Sequence, residues 1–305
     1  VPSICALQTR ERQENLRLTN GAFREILKKK REAFPAKGVP AMPQQHIDTI
    51  PVWEAYHEES ECPLCAMEAR CESQFLDIAL GGALMEPDTR IQTNQQGFCA
   101  EHLRLLYARE NRLGFALTLH THLLDYLASL RKHSDALHGQ LDAERRKNTL
   151  SKAASGMAKA SPFYKELEAT ISHLEQRNGS CYICQRVEKT MDRYVETLLY
   201  MYRKEPEFCQ AFRDSKGICL RHYPLLMRGA LAHLHGQTRL DFLQDLVALQ
   251  DKNLQRIADE LEWFTLKFDY RNQDKPWGNS KDAVERTLKK LQGHAAFGEG
   301  TDKKA

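Results

Sequence analysis

Eight residues of this chain could hold metal, and they fall into four pairs of one spacing: Cys62 and Cys65, Cys99 and His102, Cys181 and Cys184, Cys219 and His222. Two such ligands three positions apart can close on one ion at the start of a helix, and Zn2+ takes four N or S ligands at tetrahedral angles. A helix N-terminus also favours the thiolate that binds. Taken in chain order, the pairs predict two Cys3His sites: Cys62, Cys65, Cys99, His102 and Cys181, Cys184, Cys219, His222. Neither set leaves a position open for water, so two structural Zn2+ per chain are expected. An iron–sulfur cluster on the same ligands is the alternative, although clusters more often take four cysteines. Thioredoxin-like chemistry at Cys62-Pro63-Leu64-Cys65 fits poorly. No βαβ pattern surrounds it, and Cys181-Tyr182-Ile183-Cys184 lacks the proline.

The chain has nine cysteines, an odd number. Six lie in the paired motifs and Cys5, Cys71 and Cys209 stand alone, which reads as metal binding in a reducing cytoplasm and not as a disulfide framework. Further histidines occur as His120-Thr121-His122 and His233-Leu234-His235. Helix neighbours two apart point to different faces, so one of each pair at most could serve a given site. Satisfied or exposed histidines are the simpler expectation, with a second metal or acid–base site alongside Glu68 or Glu188 as the alternative.

What must position the ligands is an internal repeat. Shifted by 119 to 120 residues, the chain superposes Cys62 on Cys181, Cys65 on Cys184, Glu86-Pro87 on Glu205-Pro206, Gly97 on Gly217, Cys99 on Cys219 and His102 on His222. Each copy predicts a helix opening at its C-x2-C, running to about Leu84 or Arg203, with an apolar stripe such as Tyr194, Leu198, Tyr202. The proline of each Glu-Pro pair restarts a turn or short helix. Gly97 or Gly217 closes it with a positive φ, and a further helix opens at Cys99 or Cys219. Extended chain after the first helix is long enough to return to its start, which would let each copy complete its own site.

Outside the copies, Arg10 to Phe34 has helical composition, and Pro35, Pro40, Pro43 and Pro51 predict an extended arm over Ala36 to Ile50, docked by Ile47, Ile50, Val52 and Trp53. The stretch from Arg145 to Ser161 breaks composition between the halves. Leu243, Leu246, Val247, Leu254, Ile257, Leu261, Phe264 and Phe268 mark one long amphipathic helix, followed by a loop over Asp269 to Gly278 and a last helix from Lys281 to Gln292 with Ser280 as N-cap and Gly293 as stop. The expected organisation is therefore all-α: helix and arm over 1–45, first metal-binding repeat over 46–150, linker and connecting helix over 151–178, second repeat over 179–240, C-terminal helices over 241–293 and a tail over 294–305.

The chain's 305 residues suffice for a substantial core, and 42% apolar with 28% charged residues is the balance of a soluble globular protein. No run of 18 apolar residues predicts a membrane span, and the first residues do not read as a secretory signal. The net charge of +3 falls to about +1 with two filled sites, each carrying −1, which argues against bulk phosphate binding.

The segments Ile50-Pro51-Val52-Trp53-Glu54-Ala55, Glu61-Cys62-Pro63-Leu64-Cys65, Met85-Glu86-Pro87-Asp88-Thr89-Arg90, Gly97-Phe98-Cys99 and His102 resemble the bacterial family designated domain of unknown function 6062, from about His46 to Gly293. The resemblance implies the architecture and no activity. Arg90, Asn94 and His122 match its pattern, whereas the second copy has Gln210 or Ala211 opposite Arg90, which marks these three as candidate ligand or partner contacts in the first half.

No nucleophile or acid–base constellation appears at a readable spacing, so a non-enzymatic, zinc-bearing interaction protein is the first reading, with a protein as partner. A metal–thiolate electron carrier or redox enzyme is the second. Nucleic-acid binding is the third, disfavoured by the weak charge.

Overall fold

Among the residues described by the computed structural model, 45–150 and 161–293, every regular element is helical. In chain order these are α1 (Gln45–His57), α2 (Pro63–Leu80), α3 (Pro87–Gln96), α4 (Ala100–Ala108), α5 (Arg112–Leu150), α6 (Pro162–Asn178), α7 (Tyr182–Lys204), α8 (Pro206–Asp214), α9 (Tyr223–His233), α10 (Gly236–Leu266) and α11 (Ala283–Gln292). None is long and apolar enough to cross a membrane. The expected N-terminal helix and most of the arm, and the tail, lie outside the described residues.

Proline and glycine set many of the boundaries. Pro63, Pro87, Pro162 and Pro206 each open a helix, where the missing N–H costs nothing and the fixed φ is already helical. Gly97 (φ 63°) ends α3, and Gly217 (φ 78°) turns the chain between α8 and Cys219. Cys99 caps α4, whereas Cys219 to His222 form a turn and α9 begins only at Tyr223.

Two expectations need correction. The proline-rich arm gives way to helix from Gln45, with Pro51 inside α1. Burial of Val52 and Ala55, both fully enclosed, offsets the backbone hydrogen bond that Pro51 cannot make. α5 runs to Leu150. Ser280 does not cap the last helix. Its hydroxyl donates to Trp277 O (2.8 Å), and Asp282 holds the N-cap position, its carboxylate accepting from Arg286 Nε and capping no backbone N–H.

The centre of the core is α2 packed along α7. Phe75 of α2 lies beneath Arg186, near the start of α7, and Cys71 lies within electrostatic reach of Tyr194, two turns further on. The two helices therefore run antiparallel. Leu64, Met67 and Leu76 of α2 and Ile183, Leu198 and Leu199 of α7 are all buried in one hydrophobic cluster. α9 lies against α7 so closely that a Cβ at Gly229 would sit 2.3 Å from a Val195 methyl. Tyr202 of α7 meets Phe212 of α8 and Phe242 of α10 edge-on, the two phenylalanines are tilted against each other, and Phe208 of α8 packs edge-on with Trp53 and Tyr56 of α1.

Candidate metal centres

The eight predicted ligands gather into two clusters, but not in chain order. Cys62 and Cys65 meet Cys219 and His222 in one, and Cys99 and His102 meet Cys181 and Cys184 in the other. Within each, all four ligand atoms lie within 4.8 Å of one another. The chain-order grouping is thus corrected: each centre takes its C-x2-C from one half and its C-x2-H from the other.

The antiparallel pair explains the exchange. An 18-residue helix rises about 27 Å, so α2 carries the chain away from Cys62 toward the start of α7. There Tyr182 N donates to Gly97 O (2.9 Å) and Ser180 Oγ to Gln96 O (2.6 Å), which seats the Cys99 turn beside Cys181. Likewise α7 delivers the chain to the end where Cys62 and Cys65 wait for Cys219. Using the near pair spares each half the return crossing that closing its own site would need.

We call the first cluster the inner centre. All four of its residues are buried, Cys219 completely and Cys65 at 6% exposure. Its contacts are Cys65 Sγ to Cys219 Sγ 3.5 Å, and His222 Nδ1 to the sulfurs of Cys62, Cys65 and Cys219 at 3.7, 3.4 and 3.4 Å. The second is the outer centre: Cys181 and His102 are buried, Cys99 is half-buried and Cys184 is exposed. Here His102 Nδ1 lies 3.1, 3.4 and 3.3 Å from the sulfurs of Cys99, Cys181 and Cys184, and Cys99 Sγ lies 3.8 Å from Cys184 Sγ. Zn–S bonds of about 2.3 Å at tetrahedral angles place sulfurs about 3.8 Å apart. The donor sets fit one four-coordinate ion each.

In both centres Nδ1 faces the sulfurs and Nε2 faces a carboxylate. His102 Nε2 lies 3.0 Å from Glu72 Oε1, and His222 Nε2 lies 3.4 Å from Glu68 Oε2. A carboxylate on the outer ring nitrogen fixes the tautomer that leaves Nδ1 free to ligate and raises its basicity. Arg221 pairs with Glu68 and holds it in place. Glu68 and Glu72 are one turn apart on α2, so one helix face serves both centres. Their signal in the sequence is the spacing of three and seven from Cys65.

The last helix closes over the inner centre. Leu220 N donates to Lys290 O (2.8 Å), and a Cβ at Gly293 (φ 78°) would lie 3.1 Å from Cys65 Sγ and 3.5 Å from Cys219 Sγ. Lys290, 1% exposed, donates to Glu61 O and Lys216 O. Its ammonium lies 3.4 Å from Glu61 Oε2, which also accepts from Arg256 (2.6 Å). Burial pushes the Lys290 ammonium below its ordinary pKa against the pull of Glu61. Sequence reasoning missed this buried pair. Glu61 adjoins Cys62, but nothing in the local pattern links it to a lysine 229 positions on.

In the metal-free chain the proton is shared unevenly. Burial would push the His102 imidazolium down, but hydrogen bonds with Cys181, Glu72 and Cys99 outweigh it and raise its pKa to about 10. Burial likewise pushes the Cys181 thiol up, and its contacts with His102 and the backbone N–H groups of Cys184 and Cys99 reverse this, to about 6. In the inner centre, hydrogen bonds from Cys62 and Cys65 lower Cys219, while burial and the contacts with Cys219 and Cys65 raise Cys62.

Arg90, Asn94 and His122 all make contacts within the chain. Arg90 donates to Leu117 O (3.1 Å), His122 Nδ1 lies 2.9 Å from Asn94 O, and Thr121 Oγ1 donates to Asn94 Oδ1 (2.9 Å). These bonds tie α3 to α5. The His122 ring would meet a Cβ at Gly97 at 2.7 Å, so it packs on the turn that leads into Cys99. His120 is exposed, and His235 contacts Arg239.

Fold and sites together define an all-α protein whose two halves are joined through a pair of composite Cys/His centres, each a candidate metal site. The chain belongs to the family of unknown function DUF6062, whose profile it matches over residues 42–297. Neither a curated protein nor a solved structure matches it.

Proposed function

We propose that the chain binds one Zn2+ at each centre and that both ions are structural, fixing a two-half helical scaffold that presents a cleft to a protein partner. The observation that carries this is the composite ligand set, since an ion at either centre cross-links residues 79 or more positions apart and leaves no coordination site for substrate. That all four ligand atoms of each centre lie within 4.8 Å of one another favours a single ion over a cluster, which would spread its ligands over several irons. Anaerobically purified protein is expected to be colourless and to hold two zinc ions by elemental analysis. Iron with acid-labile sulfide and visible absorption would replace this reading with the electron-carrier one.

The partner surface in this reading is the cleft of about 530 Å3 that borders both centres and is lined by Glu72, Glu188, Asp192, Arg221 and Arg228 together with the apolar Val187 and Met191. Its carboxylates suit basic side chains of a partner. Arg90, Asn94 and His122 then act as supports for the outer centre and not as partner contacts. Affinity capture with Glu188→Lys/Asp192→Lys should lose the partner while zinc content stays at two, and capture that survives the double variant would move the partner surface elsewhere.

A further inference from the structure

The two centres have the same ligand types but not the same access. At the inner centre every ligand is buried and Gly293 presses against two of its sulfurs. At the outer centre Cys184 is exposed on the wall of the cleft, Cys99 is half-buried, and their sulfurs lie 3.8 Å apart. A thiolate held by zinc keeps its nucleophilic electron pair, so its reactivity is decided by what can reach it.

We propose that the outer centre is a peroxide-reactive site, at which Cys184 is oxidised first, Cys99 resolves it as a disulfide, and the ion of that centre alone is released. The inference rests on the zinc reading of the outer centre. The Cys184 thiolate attacks one oxygen of a hydroperoxide such as hydrogen peroxide. The O–O bond breaks, the S–O bond of a sulfenic acid forms, and the leaving hydroxide takes a proton to become water. The Cys99 thiolate then attacks Cys184 Sγ, forming the S–S bond and expelling a second hydroxide, which is also protonated. Two thiolates, one hydrogen peroxide and two protons give one disulfide and two waters. With two of four ligands gone, Cys181 and His102 cannot retain the ion.

Two other cysteines compete for oxidant but lack a partner sulfur at this range among the described residues. Cys71 is buried and donates to Glu68 O (3.2 Å), and Cys209 is half-buried on α8. The proposed disulfide still joins α4 to α7, because Cys99 and Cys184 come from the two halves. Release of the ion would therefore loosen the cleft wall without separating the halves.

The test uses the full chain loaded with Zn2+ alone and treated with a few equivalents of hydrogen peroxide, with released zinc read by a chromogenic chelator and thiols mapped by alkylation and peptide mass spectrometry. Expected are loss of one of two zinc ions, a Cys99–Cys184 disulfide, protected Cys62, Cys65 and Cys219, and recovery of the second ion after dithiothreitol and added Zn2+. The Cys209→Ser variant should behave identically. Retention of both ions, simultaneous loss of both, or oxidation that spares Cys184 would overturn the inference. A chain that does not take up two zinc ions before peroxide is added would fail the zinc reading itself, a separate result.

Discussion

Cys65 Sγ and Cys219 Sγ lie 3.5 Å apart although 154 positions separate them in the chain. A metal ion between them closes a loop that contains both C-x2-C helices, so each centre cross-links the halves where chain-order sites would have left them separate.

Disruption should therefore spread across the halves. Cys99→Ser is expected to release the outer ion and raise amide hydrogen exchange at the start of α4 and also around Ser180 to Cys184, more than 80 positions away. Chelation of both ions should loosen both junctions while far-UV circular dichroism keeps most of its helical signal, because α2 and α7 are also held by a large buried apolar cluster. Exchange confined to the first half would restore the chain-order sites.

Glu72 and Glu68 should separate the two affinities. Glu72→Gln is expected to weaken zinc at the outer centre by about 10- to 100-fold and leave the inner one unchanged, and Glu68→Gln should do the reverse. Competition with a chelator of known affinity reads both. Equal weakening of both centres by either variant would deny the one-to-one pairing of carboxylate and histidine.

Gly229→Ala tests the close approach of α9 to α7. The new methyl would meet Val195 at 2.3 Å and Leu199 at 3.2 Å, so the helices must part. Overpacking of this kind costs about 1–3 kcal/mol, more than the helix propensity gained from alanine returns. Denaturant melts of the zinc-loaded protein measure it, and an unchanged midpoint would show that the contact yields freely.

The Cys181–His102 pair should shape the pH dependence of the metal-free protein. Against ordinary values of 9.0 and 6.5, folding lowers the thiol to about 6 and raises the imidazole to about 10. From pH 6.5 to 9 folded and unfolded chains hold the same number of protons on the pair, so its contribution is level. Above pH 9 the unfolded thiol loses a proton while the folded imidazolium keeps its own until about pH 10, and stability falls with rising pH. Below pH 6.5 the unfolded imidazole gains a proton before the folded pair does, and stability falls with falling pH. Zinc reverses the upper limb, because the ion displaces the His102 proton and binds more tightly as pH rises. Urea melts of wild type minus His102→Gln, in chelator and in zinc, isolate the effect. A metal-free difference that keeps rising above pH 9 would refute it.

Local chemistry made much of this protein legible from its residues. Two spaced cysteines before a helix, the Pro-started helices, Gly97 and Gly217 with positive φ, and the long α10 all follow from short-range rules that need no knowledge of the rest of the chain. The eight ligand types were equally plain, because few other chemistries use that spacing twice over. Their partners were not. Whether Cys62 meets Cys99 or Cys219 depends on the direction in which α2 and α7 pack, and the same repeat pattern is compatible with either. The pairing of Lys290 with Glu61, the reach of Glu72 to His102 and the exposure of Cys184 against the burial of Cys65 are likewise tertiary outcomes. A helix carries its ends far apart and a sequence motif records only what lies within a turn or two. The packing of one helix against another decides which distant motif stands near enough to share an ion.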